Sequence, residues 1–194
     1  MRTAFPKRRF VLLLPIALAA CSTEPEPVYE PLRFNYLPPL QLNVAAIDVE
    51  QRFIPAGVPP DVTSQDPVPP IEALRAMAND RLQAFGTANR AVFAILDASL
   101  ARVNDIITGS FAVSLAILDP SGAQSGFAEA RVQSTHSGPV RNIRPVLYDM
   151  TKTMMSDMNI EFEYQIRRNL KAWLIETVAP ETPVEQAPLD EPHR

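Results

Sequence analysis

Proline restricts this chain more than any other residue, and it is unevenly spread. Twenty of the 194 residues are proline and only 6 are glycine. Each proline fixes φ and lacks an amide proton, so helix interiors and central strands must form where prolines are absent. Eleven prolines crowd into residues 22–70 and four into residues 179–194, while only Pro120, Pro139 and Pro145 interrupt residues 71–178. The core is therefore expected from the proline-poor stretch. At 46% hydrophobic and 21% charged residues, the whole chain can bury the interior of one domain, and wholesale disorder is excluded.

Within this frame, residues 21–39 read as a stiff, extended spacer. About a dozen such residues at roughly 3.1 Å each would reach about 35–40 Å. Leu40-Gln41-Leu42-Asn43-Val44 alternates at period two, which predicts a strand over 40–49. Residues 50–70 are a Pro-rich connection with Phe53, Ile54 and Val58 as apolar anchors. Ile71, Leu74, Ala78, Leu82 and Phe85 recur at helical spacing, after Pro69-Pro70 and before Gly86 as a C-terminal cap. Residues 91–96 are apolar at both parities, as in a strand covered on both faces. A turn at Asn104-Asp105 follows.

Phe111, Val113, Leu115 and Ile117 then alternate with smaller residues, Asp119-Pro120-Ser121-Gly122 has the chemistry of a type I turn, and residues 127–134 alternate again. This is an antiparallel hairpin. From Pro145, Leu147, Met150, Met154, Met158, Phe162, Ile166 and Leu170 step by three or four through a helix of about thirty residues, roughly 45 Å long, with Asn159 as its expected bend. Glu163 and Arg167 form a favourable i,i+4 pair. Residues 179–194 carry no apolar period and read as a disordered acidic tail. The expectation is a single α+β domain over 40–178. It is a two-layer sandwich of about four mainly antiparallel strands with two amphipathic helices, in the order β-α-β-β-β-α. The second face of the sheet would be covered by the Pro-rich segment or by a partner.

Residues 1–20 have a basic start (Arg2, Lys7, Arg8, Arg9) and a short apolar run ending in Leu18-Ala19-Ala20-Cys21. The run is too short to span a bilayer, which makes it an export signal. This box resembles the lipobox of bacterial lipoproteins. The resemblance implies cleavage before Cys21, acylation of that cysteine and a membrane anchor. Ser22 rather than Asp at the next position implies sorting to the outer membrane, facing the periplasm. Arg8-Arg9-Phe10 also resembles part of a twin-arginine export motif, and the route of export stays open. Loss of residues 1–20 removes four basic and no acidic residues and takes the formal charge from −4 to −8. Anionic headgroups repel such a domain, which is expected to stand off the membrane on its tether rather than lie on the surface, and nucleic-acid binding through bulk charge is excluded.

Chemistry-bearing residues are few. Cys21 is the one cysteine, and the 2 histidines, His136 and His193, lack a second ligand at metal spacing. No nucleophile elbow, zinc-protease helix or phosphate loop is present. Asp97 and Asp119 lie at expected strand ends, where two carboxylates could meet, but read as solvated turn acids. Met150, Met154, Met155 and Met158 form the one unusual cluster. Thioethers suit Cu(I). Because Met150, Met154 and Met158 share a stripe with Phe162 and Ile166, packing is the favoured reading and a metal site the alternative. Phe34-Asn35-Tyr36 is a candidate recognition segment. No catalytic residue and no cofactor is expected.

The element order is similar to that of small envelope lipoproteins, among them the lipopolysaccharide-assembly lipoprotein and the auxiliary lipoproteins of ABC-type lipid transport. The likeness implies a non-catalytic accessory or adaptor that binds another envelope protein, with a small-ligand carrier for lipid or Cu(I) as the alternative.

Overall fold

A computed structural model describes residues 27–175. The expected signal 1–20, Cys21, the start of the spacer and the tail 179–194 lie outside the described residues. The chain forms an α+β fold in two layers, helices on one side of a mixed sheet. In order, its elements are β1 (Leu40–Leu42), β2 (Ala46–Gln51), α1 (Pro70–Arg81), β3 (Leu82–Ala84), β4 (Arg90–Val103), β5 (Ile106–Leu118), β6 (Gln124–Ser137) and α2 (Ile143–Asn169), with short 3-10 turns at Thr63–Gln65 and Lys171–Trp173.

The main sheet has the order β2-β4-β5-β6. β4, β5 and β6 are antiparallel, and β2 joins β4 in parallel. Two tight connections fix the register. Asn104 takes a left-handed φ of 56° in the two-residue link between β4 and β5, a conformation Asn tolerates. At the other end Gly122 donates its amide to the Asp119 carbonyl at 2.9 Å. The Asp119 carboxylate accepts from the Ser121 amide, the Ser121 hydroxyl and the Ala123 amide. Those bonds, led by the Ser121 hydroxyl, hold its pKa below the usual carboxylate range.

Several sequence expectations are corrected. The alternation over 40–49 is not one strand. It breaks after Leu42, because β1 pairs with β3 in a separate two-stranded parallel sheet while β2 joins the main sheet. The first helix stops at Arg81 rather than running to Phe85: Leu82 is buried in a strand and Phe85 is exposed. Gly86 is no helix cap. A Cβ there would lie 2.6 Å from the backbone of Asn43 and Val44, so glycine is what lets the two segments meet. The second helix starts two residues before Pro145, capped by Asn142, whose side chain accepts from the Arg144 amide at 3.2 Å. Pro145 is tolerated in the first turn. The helix continues through Asn159, which is not a break.

Both helices pack on one face of the main sheet. That face supplies Ala91, Phe93, Ile95, Leu100, Phe111, Val113, Leu115 and Ile117 to the core. α2 adds Leu147, Met154, Met155, Met158, Phe162 and Ile166, with Phe162 edge-on to Phe93 at 5.5 Å. A Cβ on Gly109 would meet Met154 Sδ at 2.6 Å, so α2 lies close against β5 there.

A buried polar cluster ties the two helices to each other and to the segment before β1. Arg81, 1% exposed, donates to the Pro38 carbonyl (3.0 Å), Asn159 Oδ1 (2.9 Å) and Glu163 Oε2 (2.6 Å). Asn159 in turn donates to the Met155 carbonyl. The expected Glu163–Arg167 pair is present at 2.8 Å.

Within the span expected as spacer, residues 29–37 pack onto the helices. The Tyr29 ring stacks at 5.1 Å on Tyr148, beneath the Arg144 guanidinium. The Arg33 guanidinium binds both oxygens of Asp80, and the Phe34 amide donates to the same carboxylate. Phe34 is buried in the core and Tyr36 is exposed, so the first aromatic of the candidate recognition segment serves as a core plug.

Candidate functional site: one sheet face and one sheet edge

A strand sends alternate side chains to opposite faces. On the face away from the helices, register places Val92 beside Ala116 and Ala94 beside Ser114, with Ala112 next along β5. Val92, Ala94, Ala112 and Ser114 are at most 4% exposed, yet none of them belongs to the core that the helices pack. Among the described residues no helix or strand lies on this face. The doubly apolar run at 91–96 is explained by it: Phe93 and Ile95 serve the core, Val92 and Ala94 the second face.

Small side chains form the floor, and long ones form the walls. On the β2 side stand Arg90 with Asp48 (3.2 Å) and Arg52 with Glu50 (2.8 Å). On the β6 side stand Arg131 with Glu129 (3.5 Å) and Phe127, which is largely exposed. With strands about 4.8 Å apart, the walls are roughly 14 Å from one another. The floor itself is at most 4% exposed, so a partner meets the wall side chains before it meets the floor. The three wall pairs are half-exposed, so each adds little to stability and can exchange partners at low cost.

The Pro-rich connection does not cross this face. It runs along the edge of β4, where β2 ends. The Phe53 amide donates to the Ile95 carbonyl, the Val62 amide to the Leu100 carbonyl, and the Arg102 amide to the Pro60 carbonyl. A β-bulge between Ile95 and Asp97 opens β4 at this point. Between loop and strand lies an apolar groove of about 420 Å³, lined by Phe53, Ile54, Val58, Pro59, Leu100 and Ala101 among others. Of the expected anchors only Phe53 packs on the core; Ile54 and Val58 are exposed, and the buried aliphatic side chains of the loop are Val62 and Val68.

Asp61 fixes the loop by accepting from the Gly57 and Thr63 amides, both at 2.8 Å. Burial pushes its pKa up, but the bonds from Thr63 and Gly57 outweigh this and leave it lowered. The opposite balance holds at Asp66. Burial raises its pKa despite bonds from Thr151 (2.5 Å) and the Val68 amide.

The sequence-derived candidates are not brought together. Asp97 sits at the bulge in the middle of β4 and accepts from the Ser99 amide, while Asp119 holds the β5–β6 turn. They are seven positions apart along the ladder, about 23 Å. His136 lies on β6 beside Asp149 and Met150, in a shallow surface depression. Met150, Met154 and Met158 are buried in the core with Phe162 and Ile166. Cys21 and His193 lie outside the described residues. Among those described, no cluster of three His, Cys, Asp or Glu is placed to hold a metal, and no helix is long and apolar enough to cross a membrane. The groove had no sequence signal, because a loop and a strand forty positions apart build it.

No family model matches the chain, and no curated protein matches it in sequence. Some solved structures show distant similarity to the chain. A minor lipoprotein from Acinetobacter baumannii is 14% identical, with a TM-score of 0.36, over 70% of this chain and 98% of that one. A protein from Caulobacter crescentus assigned as a lipoprotein is 16% identical, with a TM-score of 0.31, over 48% of this chain and 76% of that one. A Helicobacter pylori protein described as a homologue of neuraminyllactose-binding hemagglutinin is 9% identical, with a TM-score of 0.29, over 70% of this chain and 91% of that one.

Proposed function

We propose that this protein is a non-catalytic lipoprotein of the bacterial envelope, acylated at Cys21, held in the outer membrane facing the periplasm. It acts as an accessory or adaptor that binds another envelope protein through the second face of its sheet. One observation carries the reading. Val92, Ala94, Ala112 and Ser114 make a small-residue floor outside the core, between walls of exchangeable ion pairs. A floor depleted of charge inside a charged rim is the anatomy of a protein interface. The lipobox at Leu18-Ala19-Ala20-Cys21 supports the anchor, and Ser22 supports the outer membrane.

A second reading rests on the groove along β4. Its volume of about 420 Å³ and apolar lining fit a small apolar ligand such as an acyl chain, so lipid carriage is the alternative. Cu(I) carriage would need the core methionines, whose burial beside Phe162 supports packing.

The test is site-specific photo-crosslinking in intact cells. Probes at Glu50 and Glu129 report on the second face, probes at Ile160 and Tyr164 on the exposed side of α2. A discrete adduct from Glu50 and Glu129, lost in Ser114→Arg, is the expected result. Adducts from the α2 positions alone would refute the assignment of the face.

A further inference from the structure

The chain between Cys21 and Tyr29 is short, and Tyr29 is docked at one end of the molecule. Tyr148, its stacking partner, lies on the second turn of α2, and the Tyr148 hydroxyl donates to the Glu30 carbonyl. The same end holds the Asn104-Asp105 hairpin tip, since the Gly138 amide just before α2 donates to the Asp105 carbonyl at 2.9 Å. Eight residue steps lead from Cys21 to Tyr29, a reach of at most about 25 Å as an extended polyproline-type segment. From Tyr148 to the end of α2 is 21 residues, about 32 Å. An anchor at Cys21 therefore cannot reach a bilayer that touches the far end of the molecule, where Trp173 packs near Gly126.

The near end exposes apolar side chains, as the far end does with Phe85, Phe127 and Ile175, so it is the tether that distinguishes the two. Val28 is 91% exposed, Val58 62%, Val103 59% and Ile106 48%. Val103 and Ile106 flank the hairpin tip, and Val58 stands beside them because Pro60 accepts from the Arg102 amide. The charges there are Arg102, Arg141 and Arg144 against Glu30, Asp61, Asp105 and Asp149, a formal excess of one negative charge. The acidic excess of the chain is not concentrated at this end.

From the length of the tether and the place where it docks, we infer that the β4–β5 hairpin tip, with Val103, Ile106 and Val58, rests on the phospholipid surface. The long axis of the sheet then stands away from the membrane and the second face opens sideways to a partner. This assignment rests on the lipid anchor at Cys21.

The experiment couples the chain beginning at Cys21, through that thiol, to maleimide-bearing phosphatidylcholine vesicles. Half of the lipid is replaced by phosphatidylcholine brominated at the upper acyl carbons, within the roughly 5–10 Å depth that interfacial side chains reach. Trp173 is the one native tryptophan and marks the far end. In Trp173→Phe, tryptophan is placed by Val103→Trp or Ile106→Trp at the near end and by Ser121→Trp at the distal turn. Equal melting temperatures of the variants establish that each is folded.

Quenching and a blue shift at positions 103 and 106, with none at 121 or in the wild type, is the expected result. Equal quenching at both ends, quenching at the distal turn, or none at all overturns the orientation. Because coupling is chemical, this readout does not depend on native acylation. That is tested separately, by the mass of the Cys21 peptide from the full chain made in bacteria. An unmodified Cys21 overturns the anchor, and the membrane assignment with it; an acylated Cys21 without selective quenching overturns the orientation alone.

Discussion

Arg81→Met tests whether the two helices are locked together through one buried guanidinium. Methionine keeps most of the stem but removes all three donors that reach Pro38, Asn159 and Glu163. The Pro38 carbonyl and Asn159 Oδ1 then lose this partner, at roughly 1–3 kcal/mol for each buried unsatisfied acceptor. Glu163 contributes less, because its side chain is 31% exposed and keeps Arg167. The sum is about 3–5 kcal/mol, the range found when a buried pair loses one member. For a domain of this size that corresponds to a fall in Tm of the order of 10 °C.

Arg81→Lys keeps the charge but cannot serve three acceptors in diverging directions, and should lose about half as much. Urea denaturation followed by circular dichroism measures both variants. A second readout is acid sensitivity. At Glu163 burial raises the pKa, and the bonds from Arg167 and Arg81 outweigh it to hold the carboxyl below its ordinary 4.5. Its contribution is present above that ordinary pKa and is lost as pH falls through the lowered folded value. Wild type should therefore lose more stability than Arg81→Met between about pH 5 and pH 3. Arg81→Met within about 1 kcal/mol of wild type, with an unchanged acid limb, would refute the reasoning.

Met158→Ala should cost roughly 2–5 kcal/mol and Met158→Leu under about 1.5, by chemical denaturation. In a Cu(I) titration against a competing chelator, the triple Leu variant of Met150, Met154 and Met158 should match wild type. Gly86→Ala drives a Cβ onto the backbone of Asn43 and Val44, and should cost roughly 1–3 kcal/mol, read as a lowered urea midpoint. Asp66 has a raised pKa, so its folded-state contribution is present at low pH and is lost as pH rises through that value. Asp66→Asn should accordingly gain in Tm relative to wild type between pH 4 and pH 7, and an equal difference at both pH values would refute the reading.

Elements whose partners are near in sequence were legible. Asn104-Asp105 and Asp119-Gly122 carry their turn chemistry locally, and the stripe from Leu147 to Ile166 fixes one face of α2 by period alone. What failed depended on distant partners. Leu82 continues the spacing of Ile71 and Leu74, so it reads as helix; it leaves the helix because Leu40 lies beside it as a parallel neighbour. The break between Leu42 and Ala46 has the same origin, since the two halves join different sheets. Of the candidate site, the second face was visible as the doubled apolar run at 91–96. The groove was not, because Ile54 and Val58 look like core residues until β4 is seen to pass beside them.

The strap formed by Tyr29, Arg33 and Phe34 also sets how the molecule bears tension. A pull on the chain upstream of Pro27 does not load the sheet first. It reaches the Tyr29–Tyr148 stack, then the paired bonds of Arg33 with Asp80, and only afterwards the plug at Phe34. Each contact is peeled in turn rather than sheared together, the stack first and then a bidentate pair whose Asp80 side chain is only 6% exposed. Release as far as Phe34 would pay out about 15 Å of chain with the helices and sheet intact. The strap is thus a mechanical fuse between the N-terminal leash and the folded body, absorbing strain before the core does.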